Sequence, residues 1–118
     1  MKTKNILIVC DVGNQCYWNI WINKIKEKIR SANIEMDKDT SRWKNNNAYA
    51  MIMVDVSNIE DLRRLVPEIR YKQPQCRILV ISSTPTWKQA REIIRLGAAN
   101  LIRKSSNLEE IIKEIESL

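Results

Sequence analysis

The chain of 118 residues predicts an α/β fold: one five-stranded parallel sheet with helices on both faces. Three observations carry this. Short apolar runs of strand length alternate with longer stretches in which apolar residues recur every three or four positions. The runs Ile6-Leu-Ile-Val9, Ala50-Met-Ile-Met-Val54 and Ile78-Leu-Val-Ile81 are apolar at every position, which suits strands covered on both sides. Alternating strands and helices joined by right-handed crossovers leave little but a parallel sheet.

The elements follow in order. The first strand ends at Cys10-Asp11, and the loop Asp11-Val-Gly-Asn-Gln15 leads to a helix over Cys16 to Ser31. Trp18, Ile22, Ile25 and Ile29 form the stripe of a helix packed on a sheet. Ala32 to Met36 reads as a weak second strand, and 37–47 as at most a short or irregular second helix, with Trp43 its only large apolar residue. The third strand ends on Asp55. Ser57-Asn-Ile-Glu60 then has the form of a capping box, opening a helix with Ile59, Leu62, Val66 and Ile69 inward and ending before Pro74. Arg77 to Ser82 is the fourth strand. Thr84-Pro85 reads as an N-cap followed by a first-turn proline, for a helix running to Leu96 with Gly97 as its left-handed cap. Ala99 to Arg103 is the fifth strand. Ser106-Asn-Leu-Glu109 opens a last helix that buries Leu108, Ile111, Ile112, Ile115 and Leu118.

Composition narrows the function classes. The length suits one domain over residues 1–118. The absence of histidine and the odd count of three cysteines, without metal-ligand spacing, argue against a disulfide framework, a zinc site and His-based catalysis. No apolar window reaches membrane-span length, and Met1-Lys-Thr-Lys-Asn5 leads straight into a strand, so the expectation is a cytoplasmic protein without a membrane partner. The net charge of +6 raises nucleic acid as a partner. The densest basic run, Lys24, Lys26, Lys28 and Arg30, is spread around a helix rather than set in one strip, so a solvated face is expected and direct nucleic-acid binding is not. The four tryptophans read as core or helix–sheet filler.

Four polar residues stand at predicted strand ends: Asp11, Asp55, Ser82 and Lys104. The last belongs to Gly97-Ala-Ala-Asn-Leu-Ile-Arg-Lys104, with lysine seven residues after glycine. This ordered set resembles the receiver domain of bacterial two-component response regulators, the CheY-like family, over essentially the whole chain. The resemblance implies a three-layer (βα)5 flavodoxin/CheY-like domain that is a regulatory phosphoacceptor rather than a turnover enzyme. Asp55 would accept a phosphoryl group from a histidine kinase or phosphotransfer protein, and the signal would pass by conformational change or dimerisation. Mg²⁺ would be held by Asp11, Asp55 and the backbone carbonyl of Ser57; Ser82 and Lys104 would bind the phosphoryl oxygens. A homodimer through the family's α4-β5-α5 face, here the helix over 84–96, the strand over 99–103 and the last helix, is the corresponding partner expectation.

The sequence also departs from that family. Cys10 replaces the first of two adjacent acids, and a thiol is a poor Mg²⁺ ligand, so weaker metal binding is expected. Val56-Ser57-Asn58 replaces the usual Met-Pro loop, Ser105 the proline after the lysine, and Leu101 the aromatic switch residue. These changes describe an atypical receiver. One alternative is a pseudo-receiver, an interaction module that is not phosphorylated. Another is a phosphoryl-transfer enzyme built on Cys10, since Cys10-Asp-Val-Gly-Asn-Gln-Cys16 is similar to the phosphocysteine loops of sugar-phosphotransferase IIB domains and low-molecular-weight tyrosine phosphatases.

Overall fold

The computed structural model describes residues 3–37, 48–104 and 108–118. The chain runs β1 (Lys4–Cys10), a 3₁₀ turn (Val12–Asn14), α1 (Gln15–Lys28), β2 (Ala32–Asp37), β3 (Met51–Asp55), α2 (Ile59–Lys72), β4 (Arg77–Ser82), α3 (Trp87–Leu96), β5 (Asn100–Arg103) and α4 (Leu108–Glu116). All five strands form one parallel sheet in the order β2-β1-β3-β4-β5. Four helices are present among the described residues. Of the short second helix expected over 37–47, Asp37 ends β2 instead, and 38–47, with Trp43, lie outside the described residues, as do Ser105 and the Ser106 end of the last capping box.

The strands alternate their side chains between two apolar layers. On one face Ile6, Ile8, Cys10, Met51, Met53, Leu79 and Ile81 pack with Trp18 and Ile25 of α1 and with Ile111, Ile112 and Ile115 of α4. On the other, Leu7, Val9, Ile52, Val54, Ile78 and Val80 pack with Leu62, Leu65, Val66 and Ile69 of α2 and Ile93 of α3. The buried runs of the central strands are therefore apolar on both faces, whereas β2, at the sheet edge, is only partly buried. Each fully buried aliphatic side chain contributes about 1.5–3 kcal/mol, so this two-sided burial fixes strand register.

Register sets the site. Cys10 of β1 lies level with Asp55 of β3, so both strands end at the same edge. Between β1 and β3 the chain order reverses, one connection passing outward to β2 and the other toward β4. Open α/β sheets place their ligands in the crevice at such a switch point.

Several local expectations are corrected. α1 begins at Gln15 after a 3₁₀ turn and ends at Lys28, with the Ile29 N–H bonded to the Ile25 carbonyl as its cap. α2 is capped by Asn58, whose Oδ1 accepts from the Glu60 N–H at 2.8 Å, and not by Ser57. α3 is capped by Thr86, whose Oγ1 accepts from the Gln89 N–H at 3.1 Å, so Thr84-Pro85 stays in the preceding loop. Trp87 is 68% exposed and fills no core. Gly97 does end α3 at φ +125°, and the Arg70 guanidinium donates to its carbonyl.

Candidate functional site

The carboxyl edge of the sheet encloses a cavity of ≈ 360 Å³ lined by Asp11, Asn14, Asp55, Ser57, Ser82 and Lys104, together with Ser83, Thr84 and Gln89. Each of the four strand-end polar residues named from the sequence lines this one cavity. Their arrangement follows from strand parity. Asp55 follows Met51 and Met53 on the α1/α4 face, which turns its carboxylate toward the first turn of α1.

Asp55 is 4% exposed and its charge is well matched. Oδ2 accepts a hydrogen bond from the Trp18 indole Nε1 at 2.7 Å and is ion-paired with Lys104 Nζ at 2.9 Å. Oδ1 takes no hydrogen bond from the described residues. No buried side-chain polar atom among them is left unpartnered, so Oδ1 is the oxygen open to the cavity. The carboxylate thus has one anchored oxygen and one presented oxygen.

Lys104 is held from three sides. Besides Asp55, its Nζ donates to Asn14 Oδ1 at 2.5 Å and lies 4.8 Å from the centre of the Tyr17 ring, a cation–π contact. The Tyr17 hydroxyl donates in turn to the Lys104 carbonyl, and the Lys104 N–H bonds the Ser82 carbonyl at 2.8 Å. Burial, and secondarily the negative charge of Asp55, pushes the Tyr17 phenol up to about 12, so it is a donor throughout the neutral range. Tyr17 stacks on Trp21 at 5.3 Å and meets Trp18 edge-on at 5.2 Å, forming an aromatic group on α1 around the lysine. Leu101 of β5 is half-buried against the α2/α3 layer and offers no such contact.

Asp11 sits across the cavity. Its Oδ2 accepts from both the Ser57 N–H and the Ser57 hydroxyl, each at 3.1 Å. This is why Ser57 does not cap α2: its hydroxyl is taken by the carboxylate that follows β1. Ser82 Oγ accepts from the Thr84 N–H at 3.2 Å, which leaves its own proton for a ligand. Cys10 is fully buried in the α1/α4 layer. Burial, then the charges of Asp55 and Asp11, pushes its thiol up to about 11. A thiolate nucleophile needs the opposite shift and an open approach, so the structure does not favour a Cys10-based enzyme.

Among the described residues no group of three or more His, Cys, Asp or Glu side chains is gathered as a metal cage. The carboxylates facing the cavity are those of Asp11 and Asp55, with Ser57 beside them. Mg²⁺ keeps several waters and commonly binds through one or two carboxylates, so these residues fit that ion; the neutral, buried Cys10 adds nothing to them. No described helix is long and apolar enough to cross a membrane.

Asn14, Tyr17 and Trp18 were not singled out as site residues from the sequence. Trp18 belonged to the packing stripe of the first helix, and that stripe predicts its burial without saying where the indole N–H is directed. Its place in the first turn after the Asp11 loop is the one signal that could have found it.

No protein-family model matches the chain, and no curated protein does. Solved structures do match. A response regulator from Burkholderia pseudomallei, determined with a phosphorylated aspartic acid, calcium ion and citrate, is 21% identical. The match covers 97% of this chain and 71% of that one, with a TM-score of 0.75. A CheY-like receiver domain protein from Methanospirillum hungatei is 16% identical over 98% and 93% of the two chains, TM-score 0.79. The pilus assembly protein CpaE from Caulobacter crescentus is 14% identical over 99% and 94%, TM-score 0.79. With five parallel strands in the order 2-1-3-4-5 and helices on both faces, the chain has the receiver, CheY-like fold.

Proposed function

We propose that this chain is an atypical receiver domain of a two-component signalling system, and that Asp55 is its phosphoacceptor. One observation carries the reading: a buried aspartate at the switch-point edge, paired with Lys104, shares one cavity with a second carboxylate, Asp11, and a hydroxyl, Ser82. Asp55 Oδ1 attacks the phosphorus of a phosphohistidine on a histidine kinase or phosphotransfer protein. The O–P bond forms as the P–N bond breaks, and the electron pair goes to the departing nitrogen of an imidazole that already carries a proton on its other nitrogen, so that it leaves neutral. Lys104, on a flexible stem with three donors, pairs with a phosphoryl oxygen, and the Ser82 hydroxyl donates to another. Asp11, Asp55 and the Ser57 carbonyl would hold Mg²⁺, which would supply charge neutralisation for the transferring group. When Lys104 turns toward the phosphoryl group it leaves Asn14 and the Tyr17 ring, so the change reaches α1. The resemblance also suggests a homodimer through α3, β5 and α4.

The test is optical. Beryllofluoride with Mg²⁺ is titrated into the wild-type protein and into Asp55→Ala while tryptophan emission is followed. Trp18 touches Asp55, so the wild type is expected to respond saturably and the variant not at all. A wild type that does not respond contradicts the reading and leaves an interaction module on the receiver fold.

A further inference from the structure

We propose that Trp18 is a positioning residue for Asp55 that holds Oδ2, presents Oδ1 to the cavity, and biases the site toward its unphosphorylated state. The inference rests on the reading of Asp55 as phosphoacceptor and adds a determinant of how long the modification lasts.

The two donors on Oδ2 differ in freedom. Lys104 has other partners at hand, Asn14 Oδ1 at 2.5 Å and the Tyr17 ring face, and its stem can swing. Trp18 cannot follow a new ligand. It is fully buried between α1 and the sheet, fixed edge-on against Tyr17, and its N–H has one direction. An indole has a single donor and no acceptor, so its only role toward Asp55 is to hold Oδ2 at 2.7 Å.

That bond has a different strength in the two states. With Asp55 unmodified, Oδ2 shares the carboxylate charge and the hydrogen bond is charge-assisted. With Oδ1 phosphorylated, Oδ2 is the carbonyl oxygen of an acyl phosphate and the bond is between neutral groups, roughly half as strong. During discharge, water forms the new bond to phosphorus while the Oδ1–P bond breaks. The electron pair returns to the carboxylate, and the water's proton leaves with the phosphate product. Negative charge therefore grows on Oδ2 as the bond breaks, and the Trp18 N–H meets it in place, as a preorganised donor does. The indole speeds discharge and lowers the phosphorylated fraction at a given donor concentration.

Trp18→Phe keeps an aromatic ring in the layer and removes the donor. After loading with acetyl phosphate and Mg²⁺ and removal of the donor, the phosphorylated fraction is followed by intact mass. The variant is expected to discharge roughly fivefold more slowly than the wild type and to hold a larger phosphorylated fraction during loading. A merely structural role would move these the other way, because a loosened site loads less and exposes the acyl phosphate to water. As a second measurement on wild-type protein, the ¹⁵N-indole resonance of Trp18 is expected to move upfield on saturation with beryllofluoride. Discharge of Trp18→Phe at or above the wild-type rate, or an indole resonance unmoved at saturation, overturns this inference alone. A wild type that takes up neither phosphoryl group nor beryllofluoride overturns the phosphoacceptor reading with it.

Discussion

Lys104→Met is the substitution whose energetic effect the structure defines best. Lys104 Nζ lies 2.9 Å from Asp55 Oδ2, with side-chain exposures of 15% and 6%. Removing one partner of a buried ion pair costs about 3–5 kcal/mol, because the remaining charge is left uncompensated. Here Asp55 keeps the Trp18 hydrogen bond, and Oδ1 faces a cavity that admits water, so the expected loss is at the low end or below, about 2–3 kcal/mol. The converse change is milder. Asp55→Asn leaves Lys104 with Asn14 Oδ1, the Tyr17 ring and partial access to solvent, at a cost of about 1 kcal/mol. In the double variant no charge remains to be stranded, so its loss should fall short of the sum by about 2 kcal/mol. Urea unfolding of the four proteins, read at constant slope, measures this coupling. Additivity within about 0.5 kcal/mol would mean that the two groups are not paired in solution, and the account of the cavity would be wrong.

Four further outcomes follow from other parts of the fold. Cys16 is exposed while Cys10 and Cys76 are buried with thiols pushed up to about 11, so an alkylating reagent near pH 8 should label one cysteine quickly and the other two only after unfolding; rapid labelling of all three would refute the burial of β1's end. For the same two thiols the unfolded chain ionises first, at the ordinary value of 9.0, so folding stability should fall as pH rises from about 9 to about 11; stability unchanged over that window would count against the shifts. Asn58→Ala should cost about 1 kcal/mol of stability through the α2 cap, and Ser57→Ala clearly less, because Ser57 serves Asp11; thermal melts showing the reverse order would restore the sequence-based cap. Gly97→Ala should cost more than about 1 kcal/mol, since φ is +125° and the new Cβ would lie 3.2 Å from Arg70 Cγ; a neutral melting temperature would contradict this geometry.

The parts of the fold that were legible are those that depend on local pattern. The runs that became β1, β3 and β4 are apolar throughout because helices cover both sheet faces, and the stripes of α2 and α4 name most of the residues that are buried, missing Leu65 and including Ile59, Leu108 and Leu118, which are only partly buried. Asp11, Asp55, Ser82 and Lys104 could be placed together because strand ends in a parallel sheet lie along one edge. What escaped the sequence depends on tertiary partners. Ser57-Asn-Ile-Glu60 offers two capping residues, and only the approach of Asp11, 46 residues away, assigns Ser57 to another task. Thr84 and Thr86 likewise both offer a cap for α3, and Thr86 takes the role. Trp18 satisfies its stripe position with its ring, and its N–H partner is set by which face Asp55 occupies. That face is fixed by parity with Met51 and Met53, an argument available only once the faces of the sheet are known.

The central claim is that Asp55 accepts a phosphoryl group, and intact-mass spectrometry tests it most directly. Wild-type protein and Asp55→Asn are incubated with acetyl phosphate and Mg²⁺, and the modified residue is located by peptide mapping after borohydride reduction of the acyl phosphate. One phosphoryl group on the wild type, mapped to Asp55 and absent from the variant, is the predicted result. A wild type that gains no mass at saturating donor, or an Asp55→Asn protein modified to the same extent, contradicts it.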